Sequence, residues 1–365
     1  MLRAPYCAKI GGMFLRWITA ALFFCVLSAA THADDKAALQ ARLQRADALT
    51  RLDDAALRPW YLKASFQLYD YAGKPTEQGT LEEWWGGPGL NKRTITSPSY
   101  TATTILNKDG RFQSSGSQEA PYLLELLEKQ IVHPLPGEAD IAGSSPRLMK
   151  ETAGGAVMDC IMLQRNMRYM PYPEVGIFPT YCFDHDKDMV HVDYDFGVFM
   201  AVRDRMGMFQ QRVIPVDLTI SMNRVSAVSA HMAMLKTMPL AGTDFVPDAG
   251  MAKLDVQRVQ LGYSAIKDSQ LENAAPVYPD AFHPSGHSEP VVVHAILGTD
   301  GHVHSLRLES TPDALLAAPA MAAVSRWSFR PYLLNGKPAE VETNLPVSFT
   351  VQGVMPGELT PHSRH

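Results

Sequence analysis

Five histidines crowd residues 283–304. His283 and His287 flank Pro284-Ser285-Gly286, and His294, His302 and His304 follow in a hairpin-like stretch. Three or four converging N, S or O donors would make a zinc site. His302 and His304, two residues apart, share one face of a strand. His283 and His287 share a face only in a helix, which Pro284-Ser285-Gly286 opposes. The set reads as solvated surface, and no metal is expected. Glu82-Glu83 and Asp184-His185-Asp186 carry groups for acid–base or metal chemistry, but both lie beside strand ends, where charges are commonly solvated. There is no Gly-x-Ser-x-Gly, no His-Glu-x-x-His and no phosphate-binding Gly-rich loop. The expectation is a protein without catalytic residues or cofactor.

The remaining reactive side chains are cysteines. Cys7 and Cys25 lie in the N-terminal 33 residues, which have the form of an export signal; Cys160 and Cys182 each sit in a strand-like run, and no Cys-x-x-Cys occurs. An even pair in an exported chain reads as a disulfide. Such a bridge stabilises by about 3 kcal/mol in the chain-entropy model. The 18 methionines, several of them between Met158 and Met238, read as core filler. Trp84 and Trp85 are adjacent on a strand and point to opposite faces, one to core and one to surface or a cavity rim.

The N-terminus has the form of an export signal. Arg3, Lys9 and Arg16 give a positive region, Trp17 to Ser28 is an apolar run too short for a membrane span, and Thr31-His32-Ala33 offers a cleavage site. Residues 1–33 are thus expected to be a signal peptide, and the periplasm the destination. An uncleaved inner-membrane anchor is the alternative. Removing the signal takes three cations and moves the net charge from −5 to −8, which leaves no footprint for nucleic acid.

The elements follow from periodicity. Leu39, Leu43, Ala46, Leu49 and Leu52 predict a helix over Asp34–Leu57, stopped by Arg58-Pro59. Period-two alternation over Tyr61–Tyr69 predicts a half-buried antiparallel strand. Further strands are expected from Thr80 to Leu235, with one short apolar helix over Pro121–Val132. Thr237–Ala275 reads as a linker with a docking strand or two, and a second domain is expected to start near Val256.

The C-terminal quarter reads strand, Asp300-Gly301 turn, strand, helix, then Trp327-Ser328-Phe329-Arg330-Pro331 and a last strand from Val341 to Val351. Together with the Tyr278-Pro279 entry, this order resembles the C-terminal domain of TonB, the periplasmic energy transducer of Gram-negative bacteria. Tyr278, Pro279, Asp300, Gly301, Trp327, Phe329 and Pro331 carry the resemblance, and physically they are core and turn residues. The resemblance implies a partner bound by strand addition to a sheet edge, such as an extended segment of an outer-membrane transporter. The best candidate edge is the last strand, around Val341, Thr343, Leu345, Val347 and Phe349. Pro346 fits an edge or a bulge there, although it removes a donor. Which edge is free is left open. Ser28 and His32 have the spacing of the Ser-x-x-x-His pair that the TonB family uses for motor coupling, but stand at the polar end of the apolar run. The family's Pro-rich spacer is absent.

The leading helix, many antiparallel strands and mid-chain helix resemble in order the half-barrel of the LolA/RseB lipoprotein-handling proteins. The resemblance implies an apolar cavity for acyl chains. The expected fold class is therefore α+β. An antiparallel β-rich domain over 34–250, in half-barrel form, precedes a small TonB-like α+β domain over 256–352 and a disordered tail over 353–365. The expected function is non-enzymatic: binding an envelope partner. The alternative is a periplasmic carrier of lipid or another apolar ligand in the N-terminal β domain.

Overall fold

The computed structural model describes residues 36–70, 72–114, 120–153, 156–165, 175–184, 187–195, 199–279 and 289–349. The expected signal segment, Ser28, His32, His185, His283, His287 and the expected tail lie outside the described residues.

The first helix, α1, covers residues 36–50. It seats Leu43 and Ala46 on Ile161, Leu163, Phe183 and Val190. Sequence periodicity carries this helix to Leu57, but it stops at Thr50. The Thr50 hydroxyl bonds back to Ala46 O, and Asp54 turns the chain by accepting the Ala56 amide. Such local bonds compete with helix continuation.

Twelve strands follow among the described residues, broken by two helices: β1 Trp60–Tyr69, β2 Pro75–Gly87, β3 Leu90–Thr96, β4 Thr101–Asn107, β5 Gly110–Gln113, α2 Tyr122–Val132, α3 Glu138–Ala142, β6 Ser145–Ala153, β7 Ala156–Gln164, β8 Thr180–Phe183, β9 Val190–Asp195, β10 Phe199–Phe209, β11 Arg212–Met222 and β12 Val225–Thr237. With β13, Ala252–Leu254, they form one antiparallel sheet in the order β13-β5-β4-β3-β2-β1-β12-β11-β10-β9-β8-β7-β6. The expected alternation is visible in β1, where Trp60, Leu62, Ala64 and Phe66 are all buried. Helix α2 lays Leu124, Leu127 and Ile131 against this sheet. Cys160 and Cys182 stand opposite each other on β7 and β8 and are disulfide-bonded.

The second sheet is small and mixed. β14 (Arg258–Gln260), β16 (Val291–Leu297), β17 (Val303–Ser310) and β21 (Glu340–Val347) lie in the order β14-β21-β16-β17. Of these pairs only β14–β21 is parallel. Between them fall α4 (Tyr263–Ile266), β15 (Gln270–Glu272), α5 (Ala314–Val324), β18 (Ser328–Phe329) and the short hairpin of β19 (Leu333–Leu334) and β20 (Lys337–Pro338). Helix α5 is capped by Asp313, whose side chain accepts the Leu315 amide. Its Leu316, Ala317, Ala320, Met321 and Val324 pack with the small sheet, and that core is continuous with the large sheet's.

The turn before β17 needs Gly301. Its φ is +80°, and a Cβ there would meet the carbonyl oxygen of Phe329 at 1.9 Å. The Gly301 carbonyl in turn accepts the Phe329 amide. This close approach ties the Asp300-Gly301 turn to the Trp327–Pro331 exit. Trp327 is buried and donates its indole N–H to Ala274 O.

Candidate binding site

The last strand does not form a free edge. β14 pairs with β21 in parallel, Arg258 opposite Glu340, Val259 opposite Val341 and Gln260 opposite Glu342. The Glu340 amide donates to Gln257 O, and the Leu261 amide donates to Glu342 O. Arg258 Nε reaches Glu340 Oε2 at 2.7 Å. Helix α4 then lies against β21 and buries Ile266. At the edge expected around Val341, Thr343, Leu345 and Val347, β14 covers Val341, and the four side chains are buried and face the core. The physical reason is in the linker, where Val259 and Leu261 pack partly buried on that same core and draw the segment onto the strand. Phe349, beyond the strand, meets Tyr278 edge-on with ring centroids 6.0 Å apart.

Residues 340 and 342 turn their main-chain groups toward β14, so the two-residue period gives Asn344 and Pro346 the same outward orientation. Pro346 has no N–H to offer. Beyond Glu342 the strand therefore presents few main-chain bonds to any added strand. The outer strands of the small sheet are β14 and β17.

Several cavities lie at the seam between the two sheets, two of them mainly apolar. One, about 820 Å³, is lined by Ile177, Tyr194, Phe199 and Met200 on one side and by Val277, Ala318, Pro319 and Ala322 on the other. A second, about 460 Å³, is bounded by Leu68, Tyr122, Leu124, Met222, Val225 and Val303. Asn223 and Arg326 border both. The walls are mainly apolar, so the seam has the size and chemistry for an apolar ligand.

Buried charges brace the large sheet. Glu83 is fully buried, contrary to the expectation of a solvated strand end. It accepts from Asn91 Nδ2, and its Oε2 has no hydrogen-bond partner among the described residues. Burial, reinforced by the negative charge of Glu128, pushes its carboxyl up to about 8. Nearby, Arg93 pairs with Glu128 at 3.1 Å. Arg203 is also buried and donates to Asp193 and Gln130, linking β10, β9 and α2. Arg203 lies within a strand-like run in the sequence, and no pattern marks it as internal.

Trp85 is buried and stacks on Trp60 at 6.0 Å, whereas Trp84 lies against Tyr61 on the other face with Lys92 over its ring. His294 contacts Asn344 and Glu342, and His302 is exposed beside the turn. His304 is a correction: only 9% of its side chain is exposed, bonded to Asp300 and packed on Tyr122. Asp184 pairs with His191. Among the described residues no three His, Cys, Asp or Glu side chains converge on a metal position. Among the same residues no helix is long and apolar enough to cross a membrane.

Residues 274–351 match the family described as Gram-negative bacterial TonB protein C-terminal. No curated protein matches the chain by sequence. Among solved structures, a LolA superfamily protein from Nitrosomonas europaea is similar at 11% identity, over 57% of this chain and 97% of that one, with a TM-score of 0.39. A domain described as an outer-membrane lipoprotein-sorting protein, from Vibrio parahaemolyticus, matches at 9% identity over 57% and 95%, with a TM-score of 0.36. A DUF1329 family protein from Desulfovibrio piger matches at 12% identity over 58% and 96%, with a TM-score of 0.37. A likeness at these TM-scores adds nothing to what the sheet itself shows.

Proposed function

Taking the TonB C-terminal stretch as premise, we propose that this chain is a non-enzymatic periplasmic protein that binds an envelope partner by strand addition at its small sheet. The observation that carries the reading is the family match of residues 274–351. An outer-membrane transporter with an extended periplasmic segment is the partner class that fits this reading. Main-chain pairing supplies the affinity in such complexes, and alternate side chains supply selectivity. Hydrogen–deuterium exchange on the full chain tests it. Added peptides taken from the extended segments of outer-membrane transporters should change exchange along an edge of the small sheet, at residues 258–260, 303–310 or 340–347. Unchanged exchange there at saturating peptide would overturn the reading.

The seam favours a second reading, a carrier of a lipid or another apolar ligand. The cavity of about 820 Å³ is the specific observation behind it. Native mass spectrometry of freshly purified protein should then find a co-purifying lipid, and its absence counts against a carrier.

A further inference from the structure

The chain already carries a strand added to its own small sheet. β14 is three residues long, and Arg258 and Gln260 in it are exposed. It sits on β21 by parallel pairing, slightly less stable per residue than antiparallel pairing. Its register is set by one exposed ion pair, Arg258 with Glu340, and by Val259 against Val341 on the core face. Beyond Glu342 the same edge turns outward Asn344 and then Pro346, a residue without a donor. On this side of the sheet a second strand could gain little by adding alongside the three residues of β14, so a strand that pairs here takes β14's place.

We propose that β14 is an internal stand-in for the partner, resting on the binding edge until an extended peptide displaces it. This rests on the strand-addition reading and deepens it by naming both the ligand's chemistry and its control. The segment that fits runs parallel to β21. It carries a Lys or Arg opposite Glu340 and a branched apolar residue next to it, over Val341. A polar or basic residue follows opposite Glu342, which already contacts His294. An occupied edge lowers apparent affinity by the fraction of molecules in which it is free.

The test uses the full chain and a fluorescently labelled peptide copying residues 256–262, read by anisotropy. Arg258→Glu sets like charges opposite each other at an exposed position, loosening β14 without disturbing the core. That chain should bind the peptide about tenfold tighter than the unaltered chain. A peptide with Glu in place of its Arg should not bind it, whereas a Glu340→Lys chain should bind the Glu peptide and reject the original. Equal affinity of the unaltered and Arg258→Glu chains would overturn displacement while leaving strand addition standing. Absence of binding by every chain would also overturn it. The exchange experiment with transporter peptides then decides separately whether strand addition stands.

Discussion

Arg203 donates to Asp193 across neighbouring strands β10 and β9, and both side chains are almost completely removed from water. Gln130 from α2 completes the set by accepting from Arg203 and donating to Asp193. A buried carboxylate that loses its cation is left uncompensated. Arg203→Met should therefore cost about 3–5 kcal/mol, measured by chemical denaturation. The double variant Arg203→Met with Asp193→Leu should recover much of that loss, because no charge remains buried.

Glu83 sets a pH dependence of definite sign. Burial raises its carboxyl from 4.5 to about 8, so the folded chain holds a proton that the unfolded chain has released. Stability then falls as pH rises from about 4.5 to about 8 and levels off above. Glu83→Gln removes that titration. Denaturation midpoints of the variant should stay flatter than those of the unaltered chain over this window; parallel profiles would refute the assignment.

Gly301 cannot take a side chain. Its φ is positive, and a methyl carbon on it would stand 1.9 Å from the Phe329 carbonyl oxygen. Gly301→Ala should cost at least about 1–3 kcal/mol, with the loss visible in thermal melts. Gly336→Ala is a useful control, since it shares the positive φ but meets nothing within 4 Å among the described residues.

The Cys160–Cys182 bridge spans a sequence separation of 22. Replacing both by Ser should lower stability by about 3 kcal/mol. Reductant should lower the melting temperature of the unaltered chain toward that of the variant and leave the variant unchanged.

The strands were legible because their side chains alternate: Leu62, Ala64 and Phe66 against Lys63, Ser65 and Gln67 define β1 within a residue of its observed start. The Asp300-Gly301 turn and the Trp327–Pro331 exit were legible from residue types that only tight geometry requires. Two kinds of feature were not. Inward charges such as Glu83 and Arg203 break the polar-outside rule that periodicity assumes, and their partners lie far away in sequence. The pairing of β14 with β21 joins residues some eighty positions apart through three residues of no special composition, so nothing local announces it. Thr237–Ala275 nonetheless reads as a linker with docking strands. Three short strands lie there among the described residues: β13 on the large sheet, β14 on the small one, and β15 against β18.

The strand order of the large sheet also sets an order of events. β1 to β5 and β6 to β12 are two meanders whose members pair with sequence neighbours, and the meanders meet only where β1 pairs with β12, Trp60 opposite Thr237. Local hairpins close fast, whereas a pairing that spans most of a domain must first meet a large loop-closure entropy. Both meanders can thus form early, as separate half-sheets, each with a raw edge where the other will join. The joining of β1 to β12 is then the slow step of folding, and until it occurs the chain exposes the strand edges most prone to pair with another molecule.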